Sequence, residues 1–309
     1  MAGVKTSPKS AELCGIICVN KPADFTSFDV IAKMRGILKM KRLGHAGTLD
    51  PMATGVLPVF AGRAAKACDI LPDHDKSYRA GFRLGVTTDT QDSTGTVVSE
   101  SNTDVSRTEL LAVLENFRGE IEQIPPMYSA VSVNGKRLYE LARQGMDVER
   151  PARKVTVYSL ELLDYDGETR CGTLEISCSK GTYIRTVISD VGDALGCGGI
   201  MTSLVRTKAC GFSLEDCVTI EQLQKTAAED GDFSQYLKPI EGVFADFPAL
   251  HLKGAQERMY RNGIKLDLGR IPVDRNAERI RVYGERGFIG TAVPDRENGV
   301  LRVERNFYL

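Results

Sequence analysis

The chain has 309 residues, 42% of them hydrophobic, 26% charged and 7% aromatic, with 40 Lys+Arg against 41 Asp+Glu for a net charge of −1. That is enough apolar content for a core, but no stretch approaches the roughly 18 apolar residues that span a bilayer. The near balance of charge excludes whole-chain basicity, so any polyanion site must be a local patch, and the length predicts two domains. Eight cysteines form no C-x-x-C pair and three histidines (His45, His74, His251) are scattered, which speaks against structural zinc and fits a cytoplasmic protein with reduced thiols.

Residues 1–13 read as a disordered lead, and Gly15-Ile-Ile-Cys-Val19 as a strand closed by Asn20-Lys21-Pro22. From Ser27, apolar residues recur every three and four positions, predicting a helix to about Met40 capped by Thr26 or Ser27. Lys33, Arg35, Lys39, Lys41 and Arg42 give that helix and the next turn five cations without an acid, either a solvated face or a phosphate-contact patch. The Gly-rich stretch 44–59 reads as a shaped loop. Within it, Pro51 holds Asp50 extended; that carboxylate either faces a ligand or caps a turn or helix.

Residues 77–99 read as antiparallel strands, with Tyr78, Ala80, Phe82 and Leu84 on one parity, and 108–117 as a short helix. Two prolines, Pro125 and Pro126, lead an extended run to Val133, a turn at Asn134-Gly135, a basic helix from Lys136 to about Gly145 and a strand from Val155 to Tyr158. Residues 173–178 alternate as a strand, and a glycine turn at Gly181 opens a helix to about Leu195, followed by a strand at 203–206. Pro239 and Pro248 bracket a boundary, beyond which a short helix and strands at 280–283, 288–293 and 300–303 form a small β-rich module.

In this order and spacing, Asn20-Lys21-Pro22, Gly44-His-Ala-Gly-Thr-Leu-Asp-Pro-Met-Ala-Thr-Gly55, Lys76-Ser-Tyr78, Pro125-Pro-Met-Tyr-Ser, Gly135-Lys-Arg-Leu-Tyr139 and Ser177-Cys-Ser-Lys-Gly-Thr-Tyr-Ile-Arg185 resemble the bacterial TruB family of tRNA pseudouridine synthases. The resemblance implies an α+β catalytic fold on a mixed, largely antiparallel sheet over residues 14–246, with an RNA-clamping insertion at about 128–154. Residues 247–309 look like a PUA-type RNA-binding module. It implies isomerisation of uridine at position 55 in the T loop of tRNA by a monomer with no metal, organic cofactor, membrane or obligatory protein partner.

By the same resemblance Asp50 is the reacting carboxylate, attacking the sugar C1′ or base C6 or starting a glycal path, alternatives the sequence leaves open. Arg185 pairs with it, and the carboxylate is expected to stay ionised because a nearby cation lowers its pKa. Tyr78 stacks on the extruded uracil, Tyr183 moves a proton, Leu204 walls the pocket and His45 inserts among the T-loop bases. Lys21, Gly44, Lys41, Arg42, Lys136 and Arg143 complete the expected RNA contacts. The family's Leu-Arg-Arg type segment appears here as Leu204-Val-Arg206-Thr207, which puts in doubt an RNA contact from position 205 or 207.

Overall fold

Gly15–Lys21 (β1) and Thr54–Ala61 (β3) lie side by side as buried strands at one end of a sheet. Leu43–His45 (β2) pairs with the far end of β3, and Ser27–Leu38 (α1) connects β1 to β2. The computed structural model describes residues 13–129, 131–133, 135–274 and 276–307. The sheet continues through Gly199–Ala209 (β12), Lys76–Leu84 (β4), Cys171–Cys178 (β11), Arg153–Asp166 (β10) and Gly119–Gln123 (β7), in the order β1-β3-β12-β4-β11-β10-β7. Its pairs are antiparallel except β3 with β12. Phe212–Ser213 (β13) extends β12, while Val86–Thr88 (β5) and Val97–Glu100 (β6) form a separate ribbon.

On one face, Arg107–Leu114 (α2) and Ile184–Ala194 (α4) cover a core containing Tyr78, Ala80, Phe82, Leu84 and Ile176; on the other, α1 and Ile220–Ala228 (α5) cover β1 and β3. The strict alternation of β4 follows from having one face buried. Between the adjacent ends of β7 and β10, residues 124–152 make an excursion holding Ser132–Val133 (β8), Lys136–Arg137 (β9) and Leu138–Ala142 (α3). The turn expected at Asn134-Gly135 has its first residue outside the described residues.

Ala249–His251 (β14), Gly254–Arg261 (α6), Leu266–Asp267 (β15), Ile280–Gly284 (β16), Gly287–Asp295 (β17) and Val300–Asn306 (β18) build a second sheet, ordered β14-β16-β17-β18-β15, around its own core. Phe288 from this sheet and Phe307, just past its last strand, stack with Phe244, joining the two cores. No helix among the described residues is long and apolar enough to cross a membrane.

Three expectations are corrected. The segment read as a loop at 44–59 ends in β3, a strand with both faces buried; such a strand loses the alternation that marks strands in sequence, and its Gly and Pro imitate a loop. The expected lead 1–13 lies outside the described residues except Leu13, which is buried among the apolar residues of α1 and β1. The strand at 155–158 extends to Asp166 and turns into β11.

Candidate active site

Asp50 sits on a tight turn, with the Ala53 N–H donating to its carbonyl at 3.1 Å and Pro51 in the second position. No helix follows, so Asp50 is not a helix cap. The turn is pinned from two sides. From the β1–α1 connection, Lys21 Nζ donates to the carbonyls of Pro22 at 2.8 Å, Phe25 at 2.5 Å and Pro51 at 3.1 Å, and Asp24 N–H donates to Pro51 at 2.9 Å. Thr26 caps α1, which leaves the Ser27 hydroxyl to accept the Leu49 N–H at 2.9 Å.

From β12, the fully buried Arg206 donates through Nε to Val56 O at 2.7 Å, through Nη2 to Gly47 O at 3.0 Å and through Nη1 to Thr48 O at 3.4 Å. The backbones are so close that a Cβ on Gly55, whose φ is +104°, would stand 2.2 Å from the Arg206 carbonyl oxygen. A charged side chain with no water of its own is retained only when its donors are occupied, and here the occupants are the carbonyls that shape the Asp50 loop.

The start of α4 supplies Arg185, 4% exposed. Its Nη2 lies 3.5 Å from Asp50 Oδ2 and donates to Tyr128 O at 2.6 Å; Nη1 lies 3.6 Å from Asp92 Oδ2 and 3.4 Å from Thr90 O. Asp92 is buried as well, its Oδ1 accepting from Thr90 Oγ1 at 2.8 Å and from Thr94 N at 2.9 Å and Oγ1 at 2.6 Å. Arg185 is thus shared between a fixed inner carboxylate and an outer one at the mouth. Removal from water pushes the Asp50 pKa up; Arg185 pulls it down, Asp92 adds to the rise and Lys21 opposes it. The expected lowering by a cation is therefore present but outweighed by burial.

Tyr78 on β4 is buried against Leu49 and Leu204, and burial pushes its phenol up to about 12 despite the nearby Arg206. Tyr183, half-buried, is the N-cap residue of α4. Gly44 and His45 lie on β2, where burial and the Arg206 charge lower the His45 pKa and favour the neutral imidazole. Lys41, Arg42, Lys136 and Arg143 are exposed, the last with its guanidinium 5.5 Å from the Tyr139 ring centre. Lys21 departs from its expected RNA contact: it exposes no surface, and burial lowers its pKa to about 8. Its part is to hold the Asp50 turn.

Asp92 and Arg206 belong to the buried network around Asp50, and the sequence alone does not single them out. An Asp in a Thr-rich turn and an Arg in a strand look like solvated residues until distant segments close over them. The signal the sequence did carry was the place of Arg206, two residues after Leu204. No group of three or more His, Cys, Asp or Glu residues among those described could hold a metal ion.

The family model described as TruB family pseudouridylate synthase (N terminal domain) matches residues 35–184, and that of the tRNA pseudouridylate synthase B C-terminal domain matches 185–245. The tRNA pseudouridine synthase B of Ralstonia pickettii (strain 12J) is 40% identical over 312 residues, covering 98% of this chain and 96% of its own length. That of Geobacillus thermodenitrificans (strain NG80-2) is 43% identical over 260 residues, covering 82% of this chain and 86% of its own. A chain in the crystal structure of a Cbf5-Nop10-Gar1 complex superposes with a TM-score of 0.74 at 26% identity, covering 97% of this chain and 86% of that one.

Proposed function

The chain belongs to the TruB family of pseudouridylate synthases, and from that membership we propose that it isomerises uridine in tRNA to pseudouridine at position 55 of the T loop, acting in the cytoplasm without an obligatory protein partner. The observation that carries the reading is the Asp50–Arg185 pair: a carboxylate at the mouth, partly withdrawn from water, 3.5 Å from a buried guanidinium.

The reaction breaks N1–C1′, joins C5 to C1′, removes the proton of C5 and returns one to N1, so no co-reactant is consumed. Attack on C1′, attack on C6 and removal of the C2′ proton all require the ionised carboxylate. Burial makes Asp50 a stronger nucleophile and base when ionised, and Arg185 keeps it ionised often enough to act. The target base must first leave its stack, at a cost of a few kcal/mol that new contacts offset. Tyr78, whose phenol stays protonated at neutral pH, offers its ring to the extruded uracil and is no general base. We assign the C5 proton to Tyr183, the apolar wall to Leu204 and insertion among the T-loop bases to the neutral His45. Lys41, Arg42, Lys136 and Arg143 meet phosphates, and the second sheet, residues 247–309, extends the RNA grip as a PUA-like module.

The test is to incubate the purified protein with an unmodified tRNA transcript and map pseudouridine by reverse-transcription stops after carbodiimide treatment, beside Asp50→Asn. A stop at the T-loop uridine with wild type alone, both proteins binding tRNA alike, is expected. No stop with wild type, or product from the variant, defeats the reading.

A further inference from the structure

β7 ends at Gln123, whose side chain is 2% exposed and makes two hydrogen bonds, both to the backbone of Tyr183. Oε1 accepts the Tyr183 N–H at 2.8 Å and Nε2 donates to the Tyr183 carbonyl at 3.1 Å. The amide thereby copies the two-bond ring of an antiparallel strand pair onto the N-cap residue of α4, a position where no side-chain cap is made. The same Tyr183 carbonyl takes the first bonds of the helix, from Thr186 and Val187, each at 3.1 Å. Both peptide planes around Tyr183 are fixed, and Arg185 follows two residues on. Gln123 is also the last residue before the 124–152 excursion, so the excursion and the catalytic helix share one anchor.

We infer that Gln123 is a positioning residue for the reaction, setting the Tyr183 side chain and the Arg185 guanidinium against Asp50 through the Tyr183 backbone; this rests on the function proposed above. A misplacement of about 1 Å at such groups can lower turnover by up to about 100-fold. The fold does not depend on Gln123 alone, because Thr186 Oγ1 also donates to Gln91 Oε1 at 2.8 Å, holding α4 from its other side.

Gln123→Glu separates positioning from mere support. Its protonated carboxyl presents the same donor and acceptor as the amide, whereas its carboxylate keeps the bond from the Tyr183 N–H and opposes the Tyr183 carbonyl. Burial and that carbonyl both raise the introduced carboxyl's pKa. The kcat of Gln123→Glu relative to wild type should therefore rise about tenfold as pH falls from 8 to 5, since a good hydrogen bond is worth on the order of 1 kcal/mol. Gln123→Met, apolar and similar in shape, should show a low ratio independent of pH, and both should bind tRNA as wild type does. Independently of activity, hydrogen exchange at the Tyr183 amide, read by NMR on 15N-tyrosine protein, should be slow in wild type and at least about tenfold faster in Gln123→Met. A flat Gln123→Glu ratio, a loss carried by tRNA affinity alone, or equal Tyr183 protection in all three proteins overturns the inference. Wild type that forms no pseudouridine refutes the proposed function instead, and the amide exchange then decides the clamp by itself.

Discussion

Lys21, Arg185 and Arg206 are taken out of water around the Asp50 turn, while Lys41, Arg42, Lys136 and Arg143 stay in it. The two sets carry the same charge and do different things. A buried cation interacts over short, fixed distances with little screening, so each donor specifies one carbonyl or carboxylate, and removing a partner strands charge at a cost of several kcal/mol. An exposed cation is screened beyond about 8 Å and contributes mainly by displacing counterions from phosphates. Under the proposed function, the centre sets geometry and rate, and the surface sets affinity and its dependence on salt.

The sharpest way to break this distinction is Asp92→Asn, which leaves the shape but removes the inner charge that Arg185 shares with Asp50. Turnover should fall at least about 100-fold with tRNA affinity unchanged, as measured by single-turnover kinetics and filter binding. A comparable loss of affinity would place Asp92 among the binding residues. Next, Arg206→Met removes the donors to Gly47, Thr48 and Val56 and should cost about 3 kcal/mol in denaturant unfolding, the scale of emptying one side of a buried polar cluster. Lys41→Ala with Arg42→Ala should leave kcat intact. It should lower the slope of log Kd against log salt by about 1 for each phosphate no longer neutralised, and an unchanged slope would remove those residues from the RNA surface.

The smallest effect concerns pH. Because folding raises the Asp50 pKa, the protonated form is the stabilised one; its contribution is complete below the unfolded pKa and is lost as pH rises through the folded value. Asp50→Asn imitates that protonated form, so at neutral pH it should melt slightly higher than wild type, and the difference should shrink as pH falls toward the ordinary carboxylate range. Calorimetry at several pH values checks the sign. The same shift predicts that wild-type turnover declines with falling pH from above that range, not within it.

Local sequence carried the pieces whose environment is set by near neighbours. The three-and-four spacing from Ser27 specified α1 and Thr26 its cap, the parity of Tyr78, Ala80, Phe82 and Leu84 specified β4, and Asp50-Pro51 specified a turn that presents a carboxylate. β3 escaped because a strand buried on both faces has no polar side to alternate with. Nothing local distinguishes Lys21 from Lys41, or Arg206 from an arginine in water, and nothing local shows that Asp92 shares a guanidinium with Asp50. Arg206 meets Thr48 across 158 residues of chain, and Arg185 meets Thr90 across 95. Whether a charge is solvated or enclosed depends on which distant backbone closes over it, so the tertiary structure alone decided which cations are enclosed around the Asp50 turn and which stay in water.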